Sequence, residues 1–163
     1  MVCDLTSGSG FQATYRALPE AAAEARAAVA ALAASHGAGV EELDRIRLAV
    51  SEAVTNASLH AYRADAGGDV QVSAAVIDGE LTVLVADEGC GLGAASESPG
   101  LGLGLGLIEQ GCDSLSILAR PRGGTELQMR FALAVASARA AGRGEPRAEA
   151  RLQGSLAFAG VSA

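Results

Sequence analysis

Two largely alternating apolar runs, DVQVSAAVID and GELTVLVADEG, meet at Asp78-Gly79, and that junction constrains the fold more than any other stretch of the chain. An Asp-Gly pair between such runs is a hairpin signal, because the favoured two-residue turn needs positive φ at both central positions. Period-two alternation means that each strand buries one face and leaves the other more polar. The rest of the chain must therefore supply a layer that covers one side of a sheet.

Two helical segments upstream suit that role. FQATYRAL, residues 11–18, reads as a strand, and Pro19 then opens PEAAAEARAAVAALAASHG, with proline in the first turn and Gly37 as the stop. Its apolar side is weak, as expected of a packing helix. VEELDRIRLAVSEAVTNASLHAYR is stronger, with Glu41, Glu42 and Asp44 in the first turn, where carboxylates suit the helix dipole. On a helical wheel Leu43, Ile46, Val50, Ala53, Val54, Ala57 and Ala61 share one side and predict a core face. Glu52 and Asn56 lie one turn apart on another side, roughly 40° from each other.

After the hairpin comes a small-residue loop and GLGLGLGL, residues 100–107, from within which LGLIEQGCD predicts a short helix. SLSILARPR, a Gly-Gly turn and TELQMRFALAV predict a closing hairpin. The order β-α-α-β-β-α-β-β points to an α+β two-layer α/β sandwich, not a doubly wound parallel sheet. Residues 134–163 are rich in Ala, Gly and Arg without periodicity and read as a disordered tail; residues 1–10 read as a flexible N-terminus.

Composition narrows the chemistry. A chain of 163 residues is long enough for one domain with a real core, and with 3% aromatics that core must be Val, Leu, Ile and Ala. The net charge is −7, which disfavours nucleic acid as a direct partner, and the chain has no lysine. A P-loop and Schiff-base catalysis are thereby excluded. No apolar run reaches the ~18 residues of a membrane span, and MVCDLTSGSG lacks the basic and apolar regions of a signal peptide. Cys3, Cys90 and Cys112 form no CxxC pair and suit a reducing compartment.

The glycines do not make a dinucleotide fingerprint: those of the run are spaced by two throughout, and DEGCGLGA has Ala94 in the last glycine slot. Three pieces, E-A-V-T-N (52–56), D-E-G-C-G (87–91) and G-L-G-L-G, are each ordinary alone: a solvated helix face, a turn and a linker. Taken in order, the three resemble the N, G1 and G2 boxes of the GHKL, or Bergerat-fold, ATPases, and the blocks EAVTNASLHAY, LVADEGCGL, GLGLGLIEQGCD and GGTELQMRF resemble more narrowly their anti-sigma-factor serine kinases. The resemblance covers residues 11–133, the expected ATPase domain.

That resemblance implies a mostly antiparallel mixed sheet covered on one face by helices. It implies Glu52 as the general base for an attacking hydroxyl, Asn56 as the Mg²⁺ ligand, and Asp87 as the reader of the adenine amine. Gly89 and Gly91 would let the backbone approach the base, and Thr125 would support the adenine contact. Without lysine, phosphates need backbone N–H groups, which a glycine-rich loop running into a helix N-terminus supplies; this assigns Gly102, Gly104, Leu105 and Gly106 to the triphosphate. Leu105 and Leu107 serve either to seal a lid or to anchor the helix. His60 occupies a histidine position of the family, with a hydrogen-bonded structural role as the plainer reading. His36 ends a helix, Cys90 reads as an apolar filler, and Arg63, Arg120 and Arg122 could bind phosphate or an acidic partner, with solvated side chains as the plainer reading. The chain departs from the pattern at Leu103, where relatives carry a polar or basic residue, and at Gly111-Cys112, where Leu-Met is expected.

The implied function is an ATP- and Mg²⁺-dependent serine kinase of the cytoplasm, a homodimer that sequesters a sigma factor and phosphorylates an anti-anti-sigma (STAS) partner. The alternative is an ATP-sensing binding module that transfers no phosphate.

Overall fold

The computed structural model describes residues 9–60, 67–89, 101–121 and 123–134. Along the chain lie β1 (Ser9–Arg16), α1 (Pro19–Ser35), α2 (Val40–His60), β2 (Asp69–Ile77), β3 (Glu80–Asp87), α3 (Leu101–Gly111), β4 (Ser114–Ala119) and β5 (Thr125–Ala132). This is the expected element order. β1 begins at Ser9, inside the stretch expected to be a flexible N-terminus. The tail from 135 onward lies outside the described residues.

The strands form one five-stranded sheet in the order β1-β2-β3-β5-β4. All four pairings are antiparallel, so the parallel component expected of a mixed sheet does not occur among the described strands. The β2–β3 hairpin closes at Ile77↔Glu80 through Asp78 at φ 50° and Gly79 at φ 79°, the geometry that the Asp-Gly pair predicts.

Alternation then decides what is buried. Val70, Val72, Ala74 and Val76 of β2, Leu81, Val83 and Val85 of β3, and Leu127, Met129 and Phe131 of β5 turn to the helices. Both long helices meet them with mostly small residues: Ala21, Ala25, Val29 and Ala33 of α1, and Ala49, Val50, Ala53, Val54 and Ala57 of α2 beside the larger Ile46. The predicted face of α2 is thus the buried one, with Leu43 only partly so and Ala61 outside the described residues. Alanine-rich faces let the two helices approach closely, which replaces the aromatic volume the sequence lacks.

The helix ends are fixed locally. α1 stops in a Schellman arrangement, with Ala38 N–H donating to the Ala33 carbonyl and Gly37 N–H to that of Ala34, Gly37 standing at φ 85°. His36 is the cap residue, its Nδ1 2.9 Å from the Leu32 carbonyl oxygen. α2 opens with the Gly39 N–H donating to Glu42 Oε2 at 2.6 Å, the carboxylate half of a capping box. The other oxygen of Glu42 accepts from Ala134 N–H at 2.7 Å and so ties the end of the last strand to the start of α2. Asp113 makes a parallel tie, accepting from Ala132 N–H at 2.7 Å and lying 3.6 Å from Arg45 Nη1. Cys112 is a buried free thiol, and burial raises its pKa.

α3 corrects one expectation. The glycine-leucine run is not a loop leading into a helix: from Leu101 onward it is the helix. Glycine is tolerated there because α3 lies hard against α2. A Cβ on Gly104 would sit 3.0 Å from Asn56 Nδ2, and one on Gly111 would sit 3.3 Å from Ala49 Cβ. The same contact accounts for Gly111 where the family pattern expects a large residue. Ile108, between them, is fully buried.

Candidate functional site

Three ends converge at one edge of the sandwich. Asp87 closes β3 and pairs with Val70 near the start of β2. Thr125 opens β5, one step from the Ala86↔Glu126 pair. The first turn of α3 lies beside the C-terminal half of α2 through Gly104 and Asn56.

Asp87 is 4% exposed. Its Oδ1 accepts from Gly89 N–H at 2.9 Å and from Thr125 N–H at 3.3 Å. Burial raises the pKa of the carboxyl above its ordinary range, and the two backbone N–H groups and the Arg120 charge pull it part of the way back. With Oδ1 occupied, Oδ2 is the carboxylate oxygen that no described residue engages. Thr125, itself 7% exposed, supports Asp87 through its backbone N–H.

The wall behind Asp87 is a glycine that sequence reasoning passed over. Gly124 has φ +90°, and a Cβ there would collide with the Asp87 carbonyl oxygen and lie 2.8 Å from Glu88 Cα. The Gly-Gly pair was legible as a turn; that one glycine also backs onto β3 depends on the β3–β5 pairing. Arg120, expected to be solvated, instead donates from Nη1 to the Asp87 carbonyl at 3.2 Å and lies 3.9 Å from Glu88 Oε1.

Glu52 and Asn56 belong to the stripe Arg45–Ala49–Glu52–Asn56 of α2. Gly111 contacts the first two of these residues and Gly104 the last, so the stripe faces α3. Glu52 is half-buried. Asn56 is the more telling of the two: its Nδ2 is buried with no hydrogen-bond partner among the described residues. Leaving an amide unsatisfied costs about 1–3 kcal/mol, a cost a ligand oxygen would remove. Among the described residues no cluster of three His, Cys, Asp or Glu side chains is placed to hold a metal. A divalent ion on the Asn56 oxygen would therefore need phosphate oxygens for most of its shell, as Mg²⁺ commonly does. The donor set fits an ion that arrives with a nucleotide.

The glycines divide. Gly102 and Gly104 lie in the first turn of α3, where a helix leaves N–H groups open to an anion. Leu105 and Gly106 lie a full turn in, where each N–H serves the carbonyl four residues back, so their amides are not free for phosphate. Leu105 packs on the core and Leu107 is 39% exposed, which settles the anchoring role for the first only. Gly91, Cys90, Arg63 and Arg122, and the side chains of His60 and Leu103, lie outside the described residues.

Comparison with known proteins extends this geometry. Residues 15–131 match the family model of the histidine kinase-like ATPase domain. The chain is 34% identical over 135 residues to the anti-sigma F factor of Shouchella clausii, covering 76% of this chain and 92% of that protein. It is 40% identical over 73 residues to the serine-protein kinase RsbW of Bacillus subtilis, covering 45% of this chain and 46% of the relative. In structure it resembles the RsbU and RsbW domains of a Mycobacterium tuberculosis protein, with a TM-score of 0.61 at 28% identity over 77% of this chain and 32% of that one.

Proposed function

Because the chain belongs to the histidine kinase-like ATPase domain family, we propose that it is an ATP-dependent protein serine kinase that doubles as an anti-sigma factor. The observation that carries this reading is the pairing, at one edge of the sandwich, of a buried carboxylate aimed by two backbone N–H groups with an amide left unsatisfied beside a helix N-terminus.

Each residue then has a task. Asp87 Oδ2 accepts from the exocyclic amine of adenine, with Thr125 bracing it and Gly89 and Gly91 letting the base approach. The first turn of α3, Gly102 and Gly104, offers N–H groups and the positive end of its dipole to the phosphates. The Asn56 oxygen would hold Mg²⁺, which, when bound, neutralises phosphate charge. Glu52, one turn before Asn56 on the same stripe, would accept the proton of an attacking hydroxyl as the phosphoryl group is transferred. The partners follow the family reading: a cytoplasmic homodimer that holds a sigma factor and phosphorylates a STAS-domain anti-anti-sigma protein. Phosphorylation switches such an interface by adding charge to it.

The decisive experiment incubates the protein with γ-labelled ATP and STAS-domain proteins, alongside Glu52→Ala. We expect label on the partner with the wild type and at least a roughly hundredfold slower transfer with E52A, ATP binding being retained in both. ATP binding with no label on any partner would replace the kinase by an ATP-sensing module.

A further inference from the structure

The β4–β5 turn reaches the nucleotide edge through a side chain that no motif accounts for. Arg120 donates from Nη1 to the Asp87 carbonyl at 3.2 Å, lies 3.9 Å from Glu88 Oε1, and keeps 27% of its side chain exposed. Its backbone is held in turn: its N–H donates to the Gly124 carbonyl at 3.2 Å, and its carbonyl accepts from Gly123 N–H at 3.1 Å. Gly124 blocks the same peptide from behind. Asp87 to Gly89 is therefore gripped from β5 by Thr125 N–H on the carboxylate and from the turn by Arg120 on the carbonyl. Of these grips, only Arg120 brings a charge.

We propose that Arg120 is a positioning residue for purine recognition, fixing the Asp87–Glu88 peptide and so aiming the Asp87 carboxylate at the exocyclic amine of the base. The inference rests on the nucleotide reading above and deepens it. Two carboxyl groups sit side by side at this turn, one of them buried, and a buried carboxylate is tolerated only where charge or N–H groups compensate it. The guanidinium provides such compensation from a position where it does not occupy Oδ2. A donor amine needs that oxygen ionised, since a proton on it would set donor against donor. Burial works against ionisation, and Arg120 works for it. By register, the nearest other charged positions on the neighbouring strands are Asp69 at the start of β2 and Glu126 at the start of β5, both acidic.

The test titrates ATP·Mg²⁺ into the full chain by calorimetry across a range of pH, for the wild type and for Arg120→Met, Arg120→Gln and Arg120→Lys. We expect R120M to bind roughly tenfold more weakly. R120Q, which keeps a donor but no charge, should recover part of the affinity at alkaline pH and lose it on acidification at a higher pH than the wild type. R120K should stay close to wild type at all pH values. An R120M protein with the wild-type Kd and pH midpoint would overturn the inference, as would variants that lose melting temperature while the pH midpoint stays in place. Should the wild type bind ATP and R120M bind it equally well, this inference alone falls. Should the wild type bind neither ATP nor ADP at millimolar concentration, the nucleotide reading falls and takes the inference with it.

Discussion

Asp87 has two demands on it that conflict. Folding favours its neutral form, because burial raises its pKa, while the proposed contact with adenine needs the ionised one. The sign for stability follows: a folded carboxyl with a raised pKa binds its proton more tightly than the unfolded chain does, so stability falls as pH rises through the window between the two pKa values. Asp87→Asn keeps an oxygen for the Gly89 and Thr125 N–H groups and removes the desolvated charge. We therefore expect D87N to abolish ATP binding without lowering the apo melting temperature. Measured against D87N, the wild type should lose relative stability as pH rises above the ordinary carboxylate range. A pH series of thermal melts, with an ATP titration of each protein, checks both halves. The candidate aspartate was legible in DEGCG; its burial and its grip by Arg120 were not, because both come from strands joined across the sheet.

At the scale of elements, α3 shows how one composition serves two purposes. Glycines at 104 and 111 fall on one face and let α3 lie against α2, whereas a Cβ on Gly106 would meet nothing within 4 Å. Two equal substitutions should thus have opposite effects. Gly104→Ala should push against the Asn56 amide, lowering the melting temperature and weakening ATP. Gly106→Ala should stabilise the helix by about 0.5–1 kcal/mol, since alanine loses less backbone freedom than glycine. Thermal denaturation of the two variants reads the contrast directly; equal shifts would place the helix face wrongly. The glycine-leucine repeat by itself reads as a flexible linker, because glycine weakens a helix. Tertiary contact overrode that pattern, since Leu105 and Ile108 gain more from packing than the glycines lose.

For the whole molecule, the site is an edge effect of the sandwich. β3, β5, α2 and α3 all present an end there, and Glu42 and Asp113 tie the opposite side of the helix layer to the close of β5. A nucleotide held, as proposed, between these strand ends and α3 would bind only the assembled fold. ATP·Mg²⁺ at about a hundredfold over its Kd should therefore add about 2.7 kcal/mol of stability, a rise of several degrees in melting temperature. Differential scanning fluorimetry across a nucleotide series tests it, and a melting temperature indifferent to both ATP and ADP would remove the nucleotide from this edge. Among the described residues no helix is long and apolar enough to cross a membrane.

The sequence by itself determined the elements, their order and the hairpin at Asp78-Gly79, because period and turn chemistry are local properties that survive without a partner. It also carried the motifs whose resemblance points to Asn56 and Asp87 as candidates for a nucleotide, and its lack of lysine points toward backbone N–H groups as phosphate ligands. Only the tertiary structure decided that the glycine-leucine run is a helix, that Gly124 backs onto β3, and that Arg120 holds the Asp87 turn. Each of these depends on what a residue distant in the chain allows or forbids at van der Waals or hydrogen-bond range, and no local pattern encodes that distance.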